Sequence, residues 1–190
     1  MNPLMRSQFE KFEKFVVKKK KIRGKKRRKF VVKKKNHGKE RNRSKTENSQ
    51  FIIIMITYNT ENVKMPAIRK RDTTAWIRRV AATYNKKVGE VGYLFCDDEH
   101  ILAVNREYLQ HDYYTDIITF DYCEDNVLNG DLVISLDTVR SNAELFGKSY
   151  DEELHRVIIH GILHLCGIND KGPGERELME AAENKALALR

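Results

Sequence analysis

Residues 155–170, HRVIIHGILHLCGIND, set two histidines four apart on an otherwise apolar run and follow them with Gly167 and Asp170. On an α-helix, residues four apart project from one face, so the rings of His160 and His164 can converge on a single point. That is the geometry of the His-x3-His half of a helical zinc site. The helix itself turns away, so a third ligand has to come from beyond it. Gly167 supplies the break: an αL residue there lets the chain reverse and carries Asp170 back toward the rings. His160, His164 and Asp170 would form a ligand set of two nitrogens and one oxygen, leaving one position for water, as catalytic zinc requires. Imidazole and carboxylate without thiolate also suit Mn2+, Fe2+ or Ni2+, so the ligand types alone do not select the metal. The competing reading is a pair of hydrogen-bonded core histidines beside a turn.

Two neighbours are set aside. His155 lies more than one turn before His160 and reads as a residue on the surface or behind the ligands. Cys166 projects roughly 200° round the helix from His164 and reads as packing. A helical zinc protease carries glutamate directly after its first histidine as general base. Here that position is Gly161, which argues against a protease.

The elements that would position this cluster mix strands with helices. FIIIMITYN, EVGYLFCDD, DIITFDY and DLVISLD read as strands. RDTTAWIRRVAATYNKK carries a helical stripe with Asp72 or Thr73 as its N-cap, and DEHILAVNREYLQ opens on acidic residues suited to a helix start. LDTVRSNAELFG is a helix closed by Gly147, SYDEELHRVIIHGILHLCG a longer one capped by Ser149, and PGERELMEAAENKALALR the last. Asn129-Gly130 is the strongest turn signal between the last two strands. No regular β-α-β alternation runs through the chain, which points to an α+β domain: a small mixed sheet with helices packed on it.

Charge divides the chain in two. Residues 1–50 hold 20 Lys/Arg and 4 Asp/Glu, a net +16, leaving 16 basic and 23 acidic residues in 51–190, a net −7. Residues 1–54 are therefore expected to be a basic extension, disordered through charge repulsion or not native to the protein, with Met55 as the natural start of a domain over 55–190. A nucleic-acid-binding arm is the alternative for that segment. Three cysteines without a Cys-x2-Cys pair suit a reducing compartment. No apolar run approaches the ~20 residues that span a bilayer. A cytoplasmic protein without membrane attachment is expected.

HGILHLCGIND, with VNREYLQHDYYTDIITFDY and GDLVIS upstream, resembles the YbeY family of metal-dependent endoribonucleases, which act in ribosomal RNA maturation. The family pattern H-G-x-L-H-L-x-G-x-x-H follows N-x-x-(Y/F)-R-x-x-x-x-P-T-(D/N)-V-L-S-F and G-D-I-x-I-S, and the match runs in order from about Met55 to Arg190. The resemblance implies a fold like that of zinc metalloproteases. It puts His160 and His164 on the first two metal positions and Asp170 on the third, where the family has histidine. Leu109 stands where the family has an arginine suited to phosphate contact, and Tyr114 where it has proline. Asn105, Tyr108, Thr115, Asp116, Gly130, Asp131 and Ser135 keep their places.

The implied activity is single-strand-specific RNA cleavage in small-subunit 3′-end processing and ribosome quality control. One Zn2+ per chain is implied, with ribosomal RNA and ribosomal proteins or the small subunit as partners and no small-molecule cofactor. Asp116 and His111, on a strand-entry loop, are candidate catalytic residues. Arg106, with Arg78 and Arg79 of the first helix, are candidate RNA contacts. Two rivals remain at this point: a non-catalytic ribosome-associated protein with a structural metal, motivated by Leu109 and the missing glutamate, and a zinc metalloprotease.

Overall fold

The computed structural model describes residues 55–190, so the expectations for residues 1–54 fall outside the described residues. The elements run β1 (Met55–Thr60), α1 (Lys70–Thr83), β2 (Lys87–Cys96), α2 (Asp98–Leu109), β3 (Ile117–Asp121), β4 (Val127–Ser135), α3 (Leu136–Leu145), α4 (Tyr150–Leu165) and α5 (Glu175–Leu187). The sheet order is β1-β2-β4-β3, with β1, β2 and β4 parallel and β3 antiparallel to β4. Parallel neighbours need long crossovers; α1 provides the first, and α2 with β3 the second. The result is the expected α+β class, a mixed sheet with five helices.

The central strands explain why their sequences lack clean alternation. β2 and β4 are covered on both faces, so Val88, Val91, Tyr93 and Phe95 on one and Leu128, Leu132, Val133 and Ile134 on the other are all buried. α4 is buried over most of its surface, through Leu154, Val157, Ile158, Ile159, Ile162, Leu163 and Leu165. Each such side chain stabilises by about 1.5–3 kcal/mol, so packing, more than helix propensity, fixes this element. α1 buries Trp76, Ile77, Val80 and Ala81, and the Trp76 indole donates to the Ala186 carbonyl at 2.8 Å, tying α5 into the same core.

Three local expectations change. α1 begins at Lys70 behind Arg69, with no side-chain cap, and Asp72 lies inside its first turn. Asn129 and Gly130 are not the turn but part of β4. The reversal lies at Glu124–Val127, where Asp125 takes φ +54°. Asn129 instead mends an irregularity in β2, its Oδ1 accepting from the Glu90 N–H at 2.9 Å where the register shifts between Val88 and Val91. Gly130 is small because a Cβ there would lie 2.9 Å from both the Phe120 carbonyl and Leu165. His155 is buried, with its Nδ1 2.7 Å from the Asp151 carbonyl oxygen and its ring 5.8 Å from that of Trp76.

Candidate metal centre

Both ends of α4 are specified locally. The Ser149 hydroxyl accepts from the Glu152 N–H at 3.1 Å, and Asp151, Glu152 and Glu153 follow in the first turn, where their charge suits the helix dipole. At the other end Gly167 takes φ +95°. Its N–H bonds the His164 carbonyl at 2.9 Å, and the Ile168 N–H bonds the Leu163 carbonyl at 3.1 Å, the paired bonds of a Schellman motif. Ile168 packs on the core, and its carbonyl accepts from His164 Nδ1 at 2.8 Å. One glycine therefore both reverses the chain and supplies the acceptor that orients a ring.

Past this turn Asp170 comes back over the helix. One ligand atom each from His160, His164 and Asp170 lie within 4.8 Å of one another. Asp170 Oδ2 stands 3.6 Å from His160 Nε2 and 3.7 Å from His164 Nε2. Donors at 2.0–2.2 Å from a tetrahedral zinc lie about 3.3–3.6 Å apart, so the spacing is close to that of a ligand set. The opposite ring nitrogens are already engaged. His160 Nδ1 is 2.7 Å from Glu183 Oε1, and the other oxygen of Glu183 accepts from Arg156 at 2.9 Å. A carboxylate and a carbonyl only accept, so in the neutral rings Nδ1 carries the proton and Nε2 turns a lone pair toward Asp170. This donor set fits a divalent cation.

Electrostatics treats the two rings differently. Burial lowers the proton affinity of His160, but the Glu183 hydrogen bond and charge, with Asp116 and Asp170, outweigh it and raise the pKa above the ordinary histidine value. For His164, burial and the charge of His160 prevail and the pKa is lowered.

Gly161 faces the sheet. A Cβ there would meet Leu132 Cδ2 at 2.0 Å and Ile117 Cδ1 at 2.8 Å. The position that carries the general base in helical zinc proteases has no room for a side chain in this fold.

Two open grooves, of about 580 and 670 Å³, meet at the cluster and share Asp116, His160 and Asp170. His111 and Leu109 line the smaller one, with Leu109 45% exposed. His111 Nδ1 lies 3.1 Å from the Tyr113 hydroxyl. Arg106 is exposed, ion-paired with Asp112, and lines neither groove. Arg78 is exposed on α1, while Arg79 donates to the Leu189 carbonyl and lines a separate pocket with Arg69 and Arg190.

Glu183, Arg156 and Glu153 escaped the sequence reading. Their signals were present: Glu183 interrupts the apolar stripe of Met179, Ala182 and Ala186, while Arg156 and Glu153 lie four and seven residues before His160, on its face of the helix. Glu153 is buried in the wall of the larger groove. Burial, reinforced by Asp116 and Glu183 against the opposing Arg156, raises its pKa.

Residues 55–189 match the family model described as Endoribonuclease YbeY. A protein of that name from Bacteroides thetaiotaomicron is 74% identical over 135 residues, covering 71% of this chain and 98% of its own length. Its counterpart from Phocaeicola vulgatus is 76% identical with the same coverage, and that from Azobacteroides pseudotrichonymphae 47% identical over 70% of this chain and 95% of its own. The solution structure of a Thermotoga maritima protein superposes with a TM-score of 0.53 at 24% identity, over 71% of this chain and 88% of that one, a likeness of fold. With a family model spanning the whole described domain and relatives this similar along nearly their full length, the chain belongs to the endoribonuclease YbeY family.

Proposed function

We propose that the chain is a metal-dependent, single-strand-specific endoribonuclease of ribosomal RNA maturation, acting at the 3′ end of small-subunit RNA and in ribosome quality control. The observation that carries this reading is the convergence of His160, His164 and Asp170 where two open grooves meet, in a chain of this family. Those three residues would hold one divalent cation, Zn2+ first among them. When bound, the cation supplies a Lewis acid for a phosphate oxygen and lowers the pKa of a coordinated water.

The chain's own groups do the rest. Glu183 and the Ile168 carbonyl hold the two rings in the required tautomer. Hydrolysis needs one proton removed from the attacking water and one delivered to the departing ribose oxygen. Asp116, in the wall shared by both grooves, is the candidate acceptor, and His111 and Glu153 are candidate donors from either side. Arg106, and at greater remove Arg78 and Arg79, are proposed as outer RNA contacts. The net −7 of residues 51–190 speaks against broad electrostatic RNA binding, so recognition falls to the grooves.

A purely structural metal is less favoured. The ligand side chains are 20–30% exposed and face open grooves, as a catalytic site with a free position requires. Ribosomal proteins or the small subunit are the proposed partners. The cytoplasm is the proposed location, supported by three free cysteines; among the described residues no helix is long and apolar enough to cross a membrane.

The test is cleavage of a small-subunit RNA 3′ fragment, single-stranded or annealed to its complement, by the full chain before and after chelation. Cleavage of the single strand alone, abolished by chelator and restored best by Zn2+, is expected. Cleavage that survives complete metal removal would contradict the reading.

A further inference from the structure

The two grooves share Asp116, His160 and Asp170 and no other lining residue, so they leave the cluster in different directions. Together they form one trough with the metal ligands at its middle. Each falls within the ~300–1,000 Å³ typical of small-ligand sites, which gives room for a nucleotide on either side.

Among the described residues three aromatic side chains are strongly exposed: Tyr113 at 55%, Tyr114 at 52% and Phe146 at 58%. Tyr114 donates its hydroxyl to Glu99 and lines neither groove. The other two are distributed one to each: Tyr113 in the smaller groove, Phe146 in the larger. The backbone of each is fixed by local hydrogen bonds. The Tyr113 carbonyl accepts from the buried Asn105 amide at 2.8 Å, and its ring stacks on His111 with centroids 5.1 Å apart. Phe146 ends α3 in a second Schellman motif: Gly147 at φ +63° bonds the Glu144 carbonyl at 3.3 Å, and the Lys148 N–H bonds the Ala143 carbonyl at 2.8 Å. Each groove also holds cations among more numerous carboxylates: Lys171 in one, and Arg156, Arg176 and the Glu152-paired Lys148 in the other.

Exposed rings lining a groove that also holds cations are one means by which proteins hold single strands. Bases stack on the rings and phosphates follow the charge. We infer that Tyr113 and Phe146 are base-stacking platforms on the two sides of the scissile phosphate, each groove taking one unpaired nucleobase. The inference rests on the endoribonuclease reading and extends it to two named subsites. It also gives single-strand selectivity a physical origin, because bases inside a duplex have no free face to offer.

The test is single-turnover cleavage of a short single-stranded RNA at varied concentrations of zinc-loaded full chain, with metal content counted for every variant. Tyr113→Ala and Phe146→Ala are each expected to raise the half-saturating concentration by about 5- to 150-fold, the worth of one stacked base. The limiting rate should hold in Phe146→Ala, which carries that control because Tyr113 also touches His111. The two effects should multiply in the double variant. Phe146→Trp should restore tight binding, and Leu178→Ala, an exposed apolar control outside both grooves, should change nothing. An RNA lacking the base on one side of the cleavage point should become insensitive to one platform variant and stay sensitive to the other. Unchanged half-saturation in both alanine variants of a chain that cleaves would overturn the platforms and leave the nuclease standing. A fall in limiting rate alone would equally overturn them. Metal-replete wild type that neither binds nor cleaves would overturn the nuclease reading and the platforms together.

Discussion

His164 takes its orientation from a carbonyl four residues away, whereas His160 takes its from a carboxylate 23 residues further along the chain, on another helix. The first half of the metal centre is a consequence of one helix end. His164, Gly167, Ile168 and Asp170 are placed by a single Schellman turn, and nothing distant is needed beyond the core contact of Ile168. The second half exists only if α5 docks against α4. It needs Met179, Ala182 and Ala186 in the core and the Trp76–Ala186 bond to bring Glu183 to the ring. The charges differ accordingly: His160 sits among carboxylates that raise its pKa, and His164 between burial and a neighbouring positive charge that lower it.

The perturbation with the largest expected effect strikes both halves at once. Gly161 lies between the two histidines and against the sheet, and Leu132 beneath it is fully buried with no room to retreat. Gly161→Ala should lower unfolding free energy by about 1–3 kcal/mol, read by urea denaturation, and should weaken metal binding as α4 is pushed from the sheet.

Glu183→Gln addresses the long-range half alone. It keeps an acceptor but removes the charge, and zinc affinity measured by competition with a chromophoric chelator should fall about 10- to 100-fold. A pH signature should accompany it. Because the folded pKa of His160 is raised, its protonation stabilises the metal-free fold below the ordinary value of about 6.5, and that contribution is lost as pH rises through the higher folded value. The stability gap between wild type and Glu183→Gln in chelator should therefore be widest in acid and narrow above neutrality. A gap independent of pH would mean that Glu183 acts through packing or Arg156 only.

Gly167→Ala tests the local half. A Cβ there meets nothing within 4 Å, so the penalty is the backbone conformation itself, about 1–2 kcal/mol by denaturation. Metal affinity should fall with it, and the acid-dependent gap of Glu183→Gln should be absent. The smallest change, Ser149→Ala at the far end of the same helix, should remove about 1 kcal/mol of stability and leave metal affinity as it was.

The same division separates what could be read in the chain from what could not. The local half was legible because its cause is local: a spacing of four on a helix, a glycine after it, an aspartate within reach of the reversal. The sheet and helices were legible wherever one pattern dominated, as in the buried run of α4 or the Ser149 cap. The long-range half was not, because a glutamate on an apolar stripe announces only that it has some partner. Asn129-Gly130 misled for a related reason. Its turn chemistry was real in isolation, but the residues serve a neighbouring strand's irregularity and the close approach of Leu165. His155 shows the limit of helical-wheel reasoning, since a position off the ligand face of a nearly all-buried helix is still inside the protein.

The most direct test of the metal centre counts zinc and measures single-turnover cleavage of a labelled ribosomal RNA 3′ fragment for the full chain and its His164→Ala and Asp170→Ala variants. About one zinc per chain in the wild type, with both metal and cleavage lost in each variant, is the predicted result. Wild type that cleaves without bound metal, or variants that cleave as well as wild type, would contradict it.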